Sequence, residues 1–365
     1  MNTLFIVYHD LNTEARSQEM LQLLKLYGST TVVSYCDFNH DVEVKVYSNR
    51  NNKKGIISFL LNGLVAILKR PSLIMLHDEY PMILVPVIKL ISPKSIIIHD
   101  SSELRLPFEN DQKSTIKMRI ARLFRYVEKK YIKQCDIVIS ANQERASIMK
   151  DYYKLETMPL VFDNVHRIDC SYNLEYCDFK YGSLLDSNCF KALYAGGLAD
   201  KRLSYTIAEQ IGKLGAGYQL IICGLAENNG EKKLESIISG LNGCNISYIG
   251  FVSREELKYL LERVDVSISA FAMDTLNNIN CASGKVYESL FVGTPLLTGI
   301  NPPLVHLCDE YGVGVSTSDF GKGLIELQNN YLYYKTNVSN YVSNINKDDR
   351  IIKLKKMIDD SLSLE

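Results

Sequence analysis

Short apolar strands separated by helical patterns of about 10–15 residues leave a chain few folds other than parallel sheets, since a parallel partner is reached only through a crossover. This sequence shows that alternation twice. In the first series, 4–8, 31–35, 43–47, 72–76, 95–98 and 136–140 read as strands. Helical spacing falls between them at 13–27 (Met20, Leu21, Leu23 and Leu24 inward), 56–69, 83–91, 117–134 and 143–153. The second series places strands at 192–195, 218–223, 246–249, 264–270, 295–298 and 314–316, with helices at 204–214, 232–241, 254–263 and 283–293.

Between the series, 167–191 loses periodicity and collects Asn, Asp, Ser, Tyr and Cys, as a linker or long loop does. A length of 365 residues also favours two domains over one core. The expected division is 1–166, the linker 167–191, and 192–345. An amphipathic helix over 346–365 is expected to pack back on the first domain.

With 41 basic and 42 acidic residues, the chain carries no overall bias toward nucleic acid. Its nine cysteines are odd in number and form no CxxC pair, which argues against a disulfide framework or a zinc site and for a reducing, cytoplasmic compartment. The N-terminal MNTLFIVYHDLN reads as a first strand rather than a signal peptide. The uncharged run 55–68 is 14 residues, short for a membrane span. Seven of the 18 residues in 117–134 are Lys or Arg, beside an apolar face of Met118, Leu123, Val127 and Tyr131. That pattern suits either a core-packed helix with a solvated basic face or an interfacial helix meeting anionic lipid.

Open parallel sheets bind ligands beyond the carboxyl ends of their strands. In the first series those ends carry His9-Asp10, His77-Asp78 and His99-Asp100. In the second, Gly196-Gly197 leads to Lys201-Arg202, Gly224 closes one strand, and Gly250-Phe251 another. Glycines allow close backbone approach, cations neutralise phosphate, and Phe251 could flank a base. The stretch ASGKVYESLFVGTP has Ser283 in capping position and ends at Gly293 and Pro295. A helix opening just after a strand points unsatisfied N–H groups and a positive dipole end at the sheet edge. Lys285 and Glu288 share one face of it, so phosphate can go to the first and ribose hydroxyls to the second. Taken alone, the stretch is equally an ordinary capped helix. No GxGxxG, P-loop or GxSxG follows a strand, which demotes dehydrogenases, P-loop NTPases and hydrolases.

With these residues in place, the chain resembles the GT-B glycosyltransferases, specifically the large retaining family of sugar-nucleotide-dependent enzymes called family 4. The likeness is best over 193–298 and follows element order over the first 165 residues. The run Gly196–Arg202 matches the family's Gly-Arg-Leu turn and Lys-Gly helix start, with Gly197 in place of the arginine and Arg202 in place of the lysine. Ile249–Ser253, Asp265–Ile268 and ASGKVYESLFVGTPLL match further family segments. The second of two family glutamates falls on Glu288, while the first falls on Asn280, which is not acidic.

The resemblance implies an α/β fold of two Rossmann-like parallel-sheet domains facing a central cleft. It implies retaining transfer of a sugar from a nucleoside diphosphate to an acceptor hydroxyl, with no metal or other cofactor. Arg202, Lys201, Lys285 and the helix start at Ser283-Gly284 would neutralise the diphosphate, and Glu288 would hold the ribose. Gly196, Gly197, Gly224, Gly250 and Phe251 would line the donor, and His99 would touch its sugar. His9, Asp10, Asn12 and Arg16 would lie on the acceptor side. A glycan or lipid-linked acceptor in surface polysaccharide synthesis is implied, at the inner face of the plasma membrane. Two rivals share the fold: a sugar-nucleotide epimerase, and a non-catalytic subunit, for which Gly197 and Asn280 are the support.

Overall fold

The computed structural model describes residues 1–11, 14–34, 45–47, 55–106, 116–345 and 348–363. The chain divides into two compact units, Met1–Asn164 with Lys347–Glu365, and Val165–Asn346.

Unit 1 holds β1 (Asn2–Val7), β2 (Ser29–Ser34), β3 (Lys45–Tyr47), β4 (Leu73–His77), β5 (Ile96–Ser101), β6 (Ile137–Ser140) and β7 (Leu160–Val161). They pair in parallel in the order β3-β2-β1-β4-β5-β6-β7. Leu4 to Val7 and Leu73 to Leu76 are buried throughout, because a parallel sheet is covered on both faces and its strands need not alternate. One face packs Phe5, Val7, Met75, Ile98 and Ile139 against Met20 and Leu24 of the helix Ala15–Lys25. Leu354 and Ile358 of the C-terminal helix Asp348–Ser363 join the same core.

Strand order reverses between β1 and β4, with Val7 opposite His77. A reversal leaves the two following loops free to diverge, and that is where such sheets offer room for ligands. It brings His9 beside Asp78.

Unit 2 repeats the plan with β8 (Phe190–Tyr194), β9 (Tyr218–Ile222), β10 (Asn245–Tyr248), β11 (Val266–Ser269), β12 (Leu296–Thr298) and β13 (Gly314–Ser316). The order is β10-β9-β8-β11-β12-β13, again parallel, and it reverses between β8 and β11.

The strand Leu160–Val161 and the helices Pro302–Tyr311, Phe320–Asn329 and Tyr331–Asn344 add to the expected elements, and three further features depart from expectation. The expected linker 167–191 contains the helix Leu174–Leu185 and belongs to unit 2. Only Cys177 and Tyr181 of that helix are buried, a stripe too narrow to show as periodicity. Second, β5 runs on to Ser101, so His99 and Asp100 lie inside the strand rather than beyond it. Third, the basic helix spans Ile116–Tyr131 and buries Phe124, Val127 and Glu128, whereas Leu123 is exposed. Its inward side carries a carboxylate that an apolar pattern could not anticipate.

Candidate functional site

At the unit 2 edge, Gly197 has φ +75, and a Cβ there would sit 2.2 Å from the Leu225 carbonyl oxygen. Gly224 has φ +120, and its Cβ would meet the Gly197 nitrogen at 2.6 Å. The loops after β8, β9 and β10 are laced by backbone bonds: Gly197 N to Cys223 O at 2.9 Å and Gly224 N to Gly250 O at 2.7 Å. The Tyr248 hydroxyl adds a bond to the Gly224 carbonyl at 2.7 Å. Loop-on-loop packing therefore dictates Gly197 and Gly224, and it leaves no place for an arginine at 197. At Gly196 a Cβ would overlap the Tyr194 ring end. Gly250, at φ +71, faces open space, and Phe251 beside it is 71% exposed. An aromatic ring that free, at a strand end, is a surface on which a base can stack.

Beyond the short helix Leu276–Ile279 that follows β11, a second helix spans Gly284–Phe291, with Ser283 in the N-cap position. The Ser283 side chain makes no capping bond, so it leaves the first-turn amides to another acceptor. Lys285, an exposed residue, turns its ammonium back to donate to the Ala195 carbonyl. Desolvation of that end, then the Arg202 charge, lowers its pKa, against the opposing pull of Cys223 and Glu288. Three residues on, Glu288 is only 15% exposed and pairs with Arg254, Oε1 to Nη2 at 3.5 Å. Burial raises its pKa, while Arg254 and Lys285 oppose the rise.

Arg202 lies over the Phe271 ring, 4.8 Å from the guanidinium carbon to the centroid. The Phe271 loop is held in turn by Asn301, which is fully buried: its Oδ1 accepts from Phe271 N at 3.3 Å and its Nδ2 donates to Asn278 O at 2.9 Å. Lys201 is exposed, and its carbonyl accepts from Ala272 N at 3.0 Å. Asn280 is buried, with its side chain donating to Leu276 O at 3.0 Å. Arg254 thus pairs with the half-buried Glu288, while Arg202 lies close enough to Lys285 for its charge to be felt at the open helix start, a cation-rich place suited to a diphosphate. Arg254, Phe271 and Asn301 were not singled out from sequence. Of these, only Arg254 carried a signal, as the first residue of a helix that follows a strand end.

The unit 1 edge differs from expectation. Arg16 is 2% exposed, and its guanidinium binds Asp100 (Nε to Oδ1 and Oδ2 at 3.1 Å each), the Phe162 carbonyl at 2.5 Å and Asn164 Oδ1 at 3.0 Å. Such a side chain is committed to the fold and does not face an acceptor. His99 is fully buried, with Nε2 3.0 Å from Glu128 Oε1, and does not reach the edge either. His9 does: it is 29% exposed, and its Nε2 is 2.7 Å from Asp78 Oδ2. Asp10 is half-buried, its carbonyl accepting from Glu14 N. Asn12 lies outside the described residues.

Asp78 sits at φ 59, a strained conformation for a non-glycine residue, and accepts from Ser102 N at 2.9 Å and Ser102 Oγ at 3.0 Å. Burial would raise its pKa, but His77, His9 and Arg105 hold it well below the usual carboxylate range. His77 puts Nδ1 2.9 Å from Asp100 Oδ2. Burial would lower the His77 pKa, but Asp78, Asp100 and Glu14 outweigh it and push it up to about 9. Among the described residues, His9, His77 and Asp78 bring ligand atoms within 4.8 Å of one another, the spacing a cation would need. Their hydrogen bonds already close that network, with His77 held by Asp100 and Asp78 shared between His9 and Ser102.

No family model and no curated protein sequence matches the chain. Solved structures do. Anabaena Alr3699/HepE in complex with UDP aligns over 100% of both chains at TM-score 0.75 and 14% identity. The fold is GT-B. Sucrose-phosphate synthase from Thermosynechococcus elongatus shares it, at TM-score 0.73 and 12% identity over 100% of both chains. So does WaaG, a glycosyltransferase involved in lipopolysaccharide biosynthesis, at 0.69 and 11% over 97% of this chain and 98% of that one. The two Rossmann-like sheets expected from the resemblance are therefore present, and these GT-B neighbours are glycosyltransferases.

Proposed function

We propose that the protein is a glycosyltransferase that moves a sugar from a nucleoside diphosphate to an acceptor hydroxyl. The observation that carries this reading is Lys285 at the uncapped start of the Gly284–Phe291 helix, with the Arg202 charge close to it and Glu288, three residues on, paired with Arg254. Departure of the diphosphate is the hard step, and its growing negative charge is stabilised by fixed cations and amides. Lys285, Arg202 and the helix start supply that charge, with Lys201 nearby, and no metal is required. Glu288 accepts hydrogen bonds from the ribose hydroxyls, and Phe251 offers its face to the base. The acceptor approaches the unit 1 edge at His9 and Asp10.

The resemblance to family 4 supports retention of configuration and a glycan or lipid-linked acceptor of surface polysaccharide synthesis in the cytoplasm. The HepE structures hold UDP, UDP-glucose, or UDP with glucose, which makes UDP-glucose the first donor to test. Incubation with UDP-, GDP- and ADP-sugars, with and without oligosaccharide or lipid-linked acceptors, tests the reading. Acceptor-dependent release of nucleoside diphosphate, insensitive to EDTA, with the donor's anomeric configuration kept in the product, is the expected result. An isomerised sugar nucleotide from donor alone would make the protein an epimerase instead. No turnover with any donor would leave a binding subunit.

A further inference from the structure

The reversal between β1 and β4 brings together two histidines and a carboxylate from distant parts of unit 1. The rings of His9 and His77 meet edge to face, 5.2 Å between centroids at 86°. Among the described residues, His9, His77 and Asp78 each offer one ligand atom, and the three atoms lie within 4.8 Å of one another. Zinc bonds of about 2.0–2.2 Å set the atoms of a tetrahedral site about 3.3–3.6 Å apart, a spacing this cluster brackets.

The groups behind these ligands are those a metal needs. Asp100 Oδ2 accepts from His77 Nδ1 at 2.9 Å, which fixes the ring and turns Nε2 to ligand duty. That Nε2 lies 3.4 Å from Ser17 Oγ and 4.0 Å from Glu14 Oε2. Asp78 is fixed in turn by Ser102, whose N and Oγ both donate to Oδ1, so Oδ2 is the oxygen left to coordinate. His77 and Asp78 are buried, and His9 is the half-exposed member through which an ion would enter.

Charge agrees with a divalent ion. Arg16 answers Asp100 and Arg105 answers Glu79, which leaves Asp78 and Glu14 with two negative charges. Burial works against a charge on His77, yet Asp78, Asp100 and Glu14 outweigh it, so the surroundings favour positive charge at this spot. The hydrogen bonds within the cluster belong to its protonated form. When an ion binds, His77 loses a proton to solvent, and the His9 proton moves from Nε2 to Nδ1 as Nε2 exchanges Asp78 for the metal.

We infer that His9, His77 and Asp78 form a binding site for a divalent transition-metal ion of the zinc class, with Glu14 or water in the fourth position. Two imidazoles select such an ion over magnesium or calcium, which take oxygen ligands. The ion clips the loop after β1 to the loop after β4. Sugar transfer as proposed needs no metal, so the ion is not its cofactor, and the inference does not depend on that activity.

Calorimetric titration of zinc into the full chain tests it, with magnesium as competitor and cobalt(II) as a spectroscopic substitute. The expected result is one zinc per chain, undisturbed by a hundredfold excess of magnesium, with a higher melting temperature when zinc is bound. His77→Gln and His9→Gln should each weaken zinc at least tenfold, and His9→Gln, altered at a half-exposed side chain, should keep the metal-free melting temperature. The cobalt spectrum should show nitrogen and oxygen ligation without a sulfur-to-cobalt charge-transfer band. Absence of zinc binding, displacement by magnesium, or equal binding in His9→Gln would overturn the inference. A charge-transfer band would overturn it too, by giving the ion to cysteine.

Discussion

Glu288 pairs with Arg254 across 3.5 Å and leaves Lys285, on its own helix face, to turn toward the Ala195 carbonyl. The two residues that sequence spacing joins are thus held apart by different partners. Each partner is one that a nucleotide can replace: a solvent-exposed guanidinium and a backbone oxygen.

Glu288→Ala should raise the donor KM. Losing hydrogen bonds to a charged group costs about 1.5–3 kcal/mol, a ten- to hundredfold effect. The melting temperature should change little, because burial already works against the Glu288 carboxylate and its partner Arg254, 3.5 Å away, is itself exposed. Steady-state kinetics against donor concentration decides this, and an unaltered KM would remove Glu288 from the ribose.

Lys285→Ala and Arg202→Ala should act on turnover. Removing one preorganised charge-stabilising group costs about 10²–10³ in kcat. Arg202→Lys separates charge from stacking, since lysine keeps the cation but lacks the planar group that lies over Phe271. Partial recovery of kcat in Arg202→Lys is expected. Losses confined to the acceptor KM would contradict the diphosphate role of both residues.

Gly197→Ala should destabilise unit 2 rather than alter chemistry directly. Positive φ costs a non-glycine residue about 1–3 kcal/mol, and the Leu225 oxygen would lie 2.2 Å from the new methyl group. Gly250→Ala carries the backbone strain without the clash, so urea denaturation should show the smaller loss there. Equal midpoints for the two variants would argue against the loop-on-loop packing.

The buried network of unit 1 makes a prediction in pH. His77 has its folded pKa raised to about 9 from an ordinary 6.5, so its contribution is fully present below about 6.5 and fades as pH rises through 9. Asp78 and Asp100 are depressed, so theirs is present above the ordinary carboxylate range and fades on acidification. Urea midpoints should therefore fall from pH 6.5 to 9.5 in the wild type and fall less in His77→Gln. Asp100→Asn leaves Arg16 without its charge partner in the interior and should cost about 3–5 kcal/mol.

Both sheets were legible in the sequence because strands covered on two faces read as unbroken apolar runs, whereas the order of the strands comes from the structure. The helix at 174–185 escaped notice because it buries only two inward residues among polar ones. At the unit 1 edge, His-Asp pairs marked strand ends correctly for His9 and His77, but His99 and Asp100 are interior because Glu128 and Arg16 reach in to satisfy them. A sequence pattern shows where polar residues fall, not which distant side chain meets them. Glycine is ambiguous for a related reason. Gly197 and Gly224 look like ligand-approach glycines, yet each is required by the backbone of the other's loop.

Calorimetric titration of UDP, GDP and ADP into the wild type, Lys285→Ala and Glu288→Ala tests the donor site most directly. Saturable one-to-one binding of one nucleotide to the wild type, weakened at least tenfold in both variants at unchanged melting temperature, is the predicted result. Equal binding by all three proteins, or no binding of any of the three nucleotides to the wild type, would contradict it.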